Sequence, residues 1–305
     1  MKNIIHIGAN KAASTTLQRH LFSKSEDLIY FGEDCEDYAD SKKIIDSMIS
    51  DDEIHFSLKD TKKIFNNKLK TNNKKTFVFS SEDILTSRVP SQCAKRLYEI
   101  LPNSKILIIL RNQIDAIQSW YANHGAYLKQ VPKSYWRRYV SFDDWIEYCF
   151  EFHKYSPLES FLYHTHLNLY RKHFGMNNIH ILLFEDFIYS KPKFISQLSD
   201  ILEINPSKVN KLLKNKHERP RKTKRQHIYH KIKSQYFHKI KINDSKFISH
   251  HFRSLFNRYL HSGDKFTFNI NKVWRNKLLK YYLNDNKLLK KNYSIDIEKY
   301  NYPLD

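Results

Sequence analysis

Glycine is scarce, 5 of 305 residues, where about 7% is usual. Each glycine at a turn is therefore informative. Cysteine is scarce too: Cys35, Cys93 and Cys149 are far apart and odd in number, with no CxxC spacing. That pattern supports neither a disulfide framework nor a zinc cluster. None is needed, because a chain this long buries roughly 75% of the surface its unfolded form exposes. Long apolar runs are missing. Ile106 to Leu110 is the longest, against the roughly 20 residues that span a bilayer. Ile4 to Ile7, with His6 inside it, is too short for a signal-peptide core. The expectation is a soluble, cytoplasmic protein. Acid is also short: 32 Asp and Glu face 52 Lys and Arg, a net charge of +20. Such a balance favours nucleic acid, an anionic membrane surface or anionic small molecules as partners. Between Lys208 and Lys233 there are 11 Lys or Arg against one acid, Glu218. A solvated lysine-rich face is the plain alternative there.

What is present is an alternation of strand and helix patterns. Asn3–Ile7, Thr76–Phe79, Lys105–Leu110 and Ile179–Phe184 are short, near-continuous apolar runs, the pattern of strands buried on both faces of a parallel sheet. Helical patterns lie between them: Ser14–Phe22, Gln92–Leu101 behind Pro90, Phe142–Phe152 and Leu158–Phe174. Phe194, Ile195, Leu198, Ile201 and Leu202 mark another helix face. After about Asn205 the strand signal fades, and Ile228–Lys239, Ser245–Leu260 and Lys272–Lys290 read as helices. The fold class is α/β, a P-loop-like parallel sheet flanked by helices, with a helical C-terminal third. A single domain over 1–305 is expected, with the α/β core at about 1–205 and a basic helical part at about 206–305. In such sheets ligands sit at the carboxyl ends of the strands.

The first strand runs into Gly8-Ala9-Asn10-Lys11-Ala12-Ala13-Ser14-Thr15-Thr16-Leu17. Small residues let the backbone curl so that successive N–H groups meet one anion, and the helix start behind them adds partial positive charge. Lys11 adds a full charge, and Ser14, Thr15 and Thr16 add hydroxyls. This is a phosphate cradle, or else an ordinary strand–turn–helix with a capping serine. It is not a Walker A loop, which needs G-x-x-x-x-G-K-[ST]. The run ending at Leu110 is followed by Arg111-Asn112-Gln113-Ile114-Asp115-Ala116-Ile117-Gln118-Ser119-Trp120-Tyr121. An arginine fork and a hydroxyl two turns on suit a second phosphate. Taken alone, the segment reads rather as Arg111 capping backbone carbonyls and Ser119 as a buried small residue.

In order, the two segments resemble sulfotransferases that use 3′-phosphoadenylyl sulfate (PAPS). Lys11 to Leu17, KAASTTL, is similar to a first signature K-[AT]-G-T-T-S-L. Ala13 stands where that signature has glycine, and Ser14 replaces a threonine. RNQIDAIQSWY is similar to R-[ND]-P-x-D-x-x-x-S-x-Y, matching at Arg111, Asp115, Ser119 and Tyr121, with Gln113 in the proline position. Phe184-Glu185-Asp186-Phe187 resembles the family's [YF]-E-D-L. Asn286-Lys287-Leu288-Leu289 with Tyr302-Pro303 resembles the tail of bacterial members.

The resemblance implies PAPS as co-substrate, its sulfuryl group passing in line to an acceptor hydroxyl, with an amine as the less favoured acceptor. Lys11 and the Ala12, Ala13, Ser14, Thr15 and Thr16 amides would hold the 5′-phosphate, and Arg111 and Ser119 the 3′-phosphate. Lys11 would also stabilise charge on the bridging oxygen, with no metal. A hydroxyl acceptor needs a base, and Glu82, which closes the Thr76–Phe79 strand region, is the candidate, with His124 and His55 as rivals. Glu185 reads as structural. His164-Thr165-His166 and His250-His251 lack partners for a metal site. Tyr135-Trp136-Arg137-Arg138-Tyr139 would stack on sugar rings of a glycan or glycolipid acceptor, or simply pack. An anionic membrane surface is a further contact that the charge admits, and no specific nucleic acid is expected. The competing functions are a P-loop-type nucleotide kinase and a nucleic-acid-binding protein using 208–233.

Overall fold

The apolar runs become strands because their side chains are buried on both sides of one parallel sheet. The computed structural model describes residues 2–33, 35, 38–49, 53–70, 76–124, 138–152, 156–214, 216, 222–236 and 250–305, with only the backbone described at 124 and 250–253. The strands are β1 (Asn3–Ile7), β2 (Leu28–Gly32), β3 (Thr76–Ser81), β4 (Ser104–Leu110) and β5 (Ile179–Leu183). They pair in the order β2-β3-β1-β4-β5. Every pairing is parallel; Ile5 of β1, for example, faces Phe79 on one side and Ile106 on the other.

The strand β2 is the one the sequence pattern missed. It is an edge strand in which Ile29 and Tyr30 are only half-buried. Leu28-Ile29-Tyr30-Phe31 closed by Gly32 was a usable signal. Gly32 is obligatory, since a Cβ there would lie 2.2 Å from the Ser80 carbonyl oxygen.

The chain forms two compact units. The first comprises Met1–Gln113, Glu159–Glu218 and Tyr282–Asp305. It holds the sheet with α1 (Ser14–Leu17), α2 (Tyr38–Met48), α3 (Leu58–Leu69), α4 (Pro90–Ile100), α7 (Tyr163–Phe174), α8 (Phe184–Tyr189), α9 (Lys191–Leu202) and α10 (Pro206–Leu213). Phe65 of α3 meets Phe31, Phe77 and Phe79 of the sheet at 5.1–5.9 Å between ring centres. Pro90 opens α4, where its missing N–H costs nothing.

The second unit comprises Ile114–Leu158 and Arg219–Tyr281. It contains α5 (Gln113–His124) from Ile114 on, α6 (Phe142–Glu151), α11 (Lys224–Tyr236), α12 (His250–His261) and the first part of α13 (Lys272–Tyr293). The Ser141 hydroxyl caps α6 by accepting the Asp144 N–H at 3.1 Å. Tyr121, Phe142, Trp145 and Phe268 pack with ring centres 4.7–5.6 Å apart. The Tyr121 hydroxyl donates to the Val140 carbonyl at 2.8 Å. After Asn205 the described residues hold helices and a single isolated bridge, Thr223 to Lys265, so the helical C-terminal third stands.

Candidate active site

The sheet order places a topological switch point at β1 and β4. From β1 the chain crosses toward β2, and from β4 it crosses toward β5. Loops leaving the carboxyl ends of β1 and β4 therefore diverge, and the crevice they leave is where such sheets hold ligands.

The loop after β1 is shaped by its small residues. Gly8 continues the ladder, donating its N–H to the Ser81 carbonyl at 3.3 Å. A Cβ on Gly8 would lie 2.7 Å from the Ser14 hydroxyl oxygen and 3.1 Å from Glu82 Cγ. Only glycine lets the loop fold back on the start of α1 there. Ala9 and Ala12 are fully buried. Lys11 (φ 65°) and Ala13 (φ 67°) are both left-handed, and such residues are the turning points of backbone nests that cup anions. Ala13 occupies the N-cap position of α1 without a side-chain acceptor. The Ser14 hydroxyl donates to the Ala9 carbonyl at 3.3 Å, so a capping serine is not what this segment forms. After one turn the helix widens into a π-helical turn, Gln18–Phe22.

Beneath the loop lies a buried polar cluster that the sequence did not announce. His6 Nδ1 and the Ser80 hydroxyl are 2.7 Å apart, and Gln18 Nε2 donates to the same hydroxyl at 3.0 Å. Burial holds the His6 imidazole neutral, its pKa down at about 3.

Arg111 leaves the end of β4 and reaches this loop. Its Nη1 donates to the Lys11 carbonyl at 2.7 Å, and its guanidinium lies 4.6 Å from the centre of the Phe184 ring. Two residues joined only by the tertiary fold, 100 positions apart, thus meet across the switch point. Arg111 is itself strapped in place. The Tyr163 hydroxyl donates to its carbonyl at 2.7 Å and faces its N–H at 3.4 Å. Glu185 accepts the Asn112 N–H at 2.8 Å and the Tyr302 hydroxyl at 3.0 Å. Burial raises the Glu185 pKa, and these hydrogen bonds oppose the shift.

The C-terminal tail closes the back of the strap. Asn112 Nδ2 donates to the Tyr300 and Asn301 carbonyls. Gln113 and Asn286 exchange amide hydrogen bonds of 2.7 and 3.2 Å, and Asn286 also donates to the Pro303 carbonyl. Gln113 thereby gains a partner that a proline in its position would lack. The strap by Tyr163 and the pairing of Gln113 with Asn286 were not legible locally, because the partners are 52 and 173 residues apart.

Glu82 follows β3, half-buried, with its Cγ beside Gly8 at the root of the lysine loop. A second carboxylate supports it: Glu33, just past β2, accepts the Ser81 hydroxyl at 3.1 Å and the Glu82 N–H at 3.2 Å. Glu33 escaped notice because β2 did. Asp83 lies 3.7 Å from Lys42.

The first unit therefore gathers Lys11, Ala12, Ala13, Ser14, Thr15, Thr16, Glu82 and Arg111. Ser119 belongs to the second unit, half-buried on α5, where its carbonyl accepts the Asn123 amide at 2.9 Å. Of the rival bases, His55 is exposed on a short 3-10 turn. His124 ends α5. Tyr135, Trp136 and Arg137 lie outside the described residues. His166 faces the Glu159 carbonyl and His164 faces Asn292. Among the described residues no three His, Cys, Asp or Glu are placed to hold one metal ion, and no helix is long and apolar enough to cross a membrane.

A family model described as a sulfotransferase domain matches residues 3–275. A sulfotransferase from Alicyclobacillus acidocaldarius has a similar fold, with a TM-score of 0.57 and 15% identity over 98% of each chain. Mouse sulfotransferase SULT7A1, complexed with PAP, aligns over 95% of this chain and 88% of its own at 12% identity, with a TM-score of 0.46. Comparison with curated protein sequences finds no match. The family match runs through both the lysine loop and the Arg111 segment, the two elements the fold joins at its switch point, and the chain belongs to the sulfotransferase family.

Proposed function

We propose that the protein transfers the sulfuryl group of PAPS to a hydroxyl group of its acceptor. The observation that supports this reading is the 2.7 Å hydrogen bond from Arg111 Nη1 to the Lys11 carbonyl, which joins the arginine segment to the left-handed lysine loop. The donor set fits an anionic nucleotide: a lysine, an arginine, backbone amides and hydroxyls, at a loop whose N-cap supplies no competing side-chain acceptor.

In this reading Lys11 and the Ala12–Thr16 amides hold the 5′-phosphate. Arg111, whose Nη1 donates to the Lys11 carbonyl, also meets the 3′-phosphate. The acceptor oxygen attacks sulfur as the bond from sulfur to the bridging phosphate oxygen breaks. Negative charge grows on that oxygen, where Lys11 opposes it. Glu82 takes the acceptor's proton, and Glu33 holds the Glu82 backbone in register for it. Sulfuryl transfer in line is mostly positioning and charge stabilisation. This donor set supplies both through side chains and backbone, without calling on a metal ion. The acceptor class that suits the family is a carbohydrate or glycolipid.

Thermal shift with PAP against ADP–Mg²⁺ tests the reading. Stronger stabilisation by PAP is expected. Stronger stabilisation by ADP–Mg²⁺ would replace it with a nucleotide kinase.

A further inference from the structure

The part of the basic stretch from Lys222 to Lys233 is not used by the site above, and in the second unit it joins a surface of unusual composition. The helices α11 and α12 together carry Lys224, Arg225, Lys231, Lys233 and Arg258, and neither has an acid. A solvated helix keeps its apolar residues inward. On α11 the order is inverted. Ser234 is the residue it buries, while Ile228, Ile232 and Tyr236, spaced i, i+4, i+8, are 56%, 46% and 68% exposed. That spacing is one continuous ridge along the helix. On α12, Leu255 and Tyr259 are half or more exposed, 50% and 55%. The two helices are joined at their faces. Tyr229 meets Phe256 edge-on at 5.4 Å, and the Arg225 guanidinium lies 4.2 Å from the Tyr259 ring centre.

We infer that this face of α11 and α12 seats the protein on an anionic membrane surface. An apolar ridge flanked by cations is what an interfacial helix needs. Its ridge enters the boundary between headgroups and acyl chains, and its cations meet the lipid phosphates. The cations are of the right kind and place. Lys231 and Arg258 are exposed, Lys231 lying over the Tyr139 ring at 4.7 Å, so it reaches from the ridge edge without leaving the helix. Lys224 is shared with exposed Asp264 at 3.1 Å. Deeper in the pair, burial first, and then the charges of Lys222, Lys233 and His227, hold His230 down at about 4. A nucleic acid would use the cations but has no use for an isoleucine ridge, whereas a bilayer uses both. The inference concerns the second unit alone and does not depend on which nucleotide the first unit takes.

Sedimentation of the intact protein with vesicles tests it, using phosphatidylcholine alone and phosphatidylcholine mixed with phosphatidylserine. Binding to the mixed vesicles, absent from phosphatidylcholine alone and weakened by salt, is the expected result. Ile228→Ser with Ile232→Ser should lower partitioning at least tenfold, since burying one such side chain is worth roughly 10-fold or more. Lys231→Glu with Arg258→Glu should lower it further, each basic residue near the surface being worth roughly fivefold. Both variants change exposed side chains, and their thermal shift with PAP should match that of the unaltered protein. Equal sedimentation with the two vesicle types would overturn the inference. So would an isoleucine variant that partitions normally. Salt-sensitive binding to a generic DNA duplex without vesicle binding would assign the face to nucleic acid. A dimer that dissociates in the isoleucine variant, again without vesicle binding, would assign it to self-association.

Discussion

The two units are held together by different means. The first is built on parallel ladders that join β2, β3, β1, β4 and β5, so its backbone is fixed by hydrogen bonds between residues remote in sequence. The second has, among its described residues, one isolated bridge, and it coheres through rings: Tyr121 on Phe142, Trp145 and Phe268, and Phe150 on Tyr281. The difference shows where each unit keeps its reactive features. A laddered backbone tolerates strain at strand ends, and Lys11 and Ala13 are left-handed there. A ring-packed helical unit leaves its outer helix faces to composition, and α11 and α12 carry cations and exposed apolar residues.

The largest expected effect lies in the second unit. Phe142→Ala removes a buried ring that touches three other aromatics. It should cost about 3–5 kcal/mol of stability in denaturant unfolding. A loss below about 1 kcal/mol would break the comparison, because the rings would then not be what holds that unit. Next is Lys11→Ala, which should lower kcat on the order of 10²–10³-fold while PAP affinity falls modestly, since charge on the leaving oxygen grows only in the transition state. A normal kcat would remove Lys11 from the chemistry.

Glu82→Gln should keep the fold and PAP binding yet lose roughly 10²-fold or more in turnover. Normal turnover would turn attention to His124. Arg111→Ala sharpens the comparison further, because this side chain already has one structural contact. If it also reads the 3′-phosphate, PAP should weaken by about 1.5–3 kcal/mol, while adenosine 5′-phosphosulfate, which lacks that group, weakens less. Equal losses would leave only the loop-fixing role. The smallest effect is Ala13→Gly. Left-handed backbone costs a non-glycine residue roughly 1–2 kcal/mol, and glycine's extra unfolded-state freedom offsets part of the gain. A net stabilisation of about 0.5–1 kcal/mol is expected by thermal unfolding. Destabilisation would mean that the Ala13 methyl is a packing group.

Lys11 and Arg111 were legible because each lies in the segment that follows a continuous apolar run, and the residues after such a run mark the ligand edge of a parallel sheet. Glu82 was legible by the same logic. Glu33 was not, because the edge strand before it is half-exposed and was not read as a strand. The Ala13 position shows a subtler limit. Alanine stands there in place of the signature's glycine, yet the chain holds the left-handed turn at Ala13 all the same, between β1 and α1.

The sequence by itself determined the α/β class, the parallel sheet, the lysine loop and the Arg111 segment, since periodicity and strand-end chemistry are local properties of the chain. Only the tertiary structure decided what those segments meet. The hydrogen bond from Arg111 to the Lys11 carbonyl, the clasp of Tyr163 and Glu185 on the β4 exit, and the amide exchange between Gln113 and Asn286 each join residues 52 to 173 positions apart. So does the interleaving of three segments in one unit and two in the other. Such contacts depend on strand order and crossover direction, and a one-dimensional pattern of apolar and polar residues does not carry either.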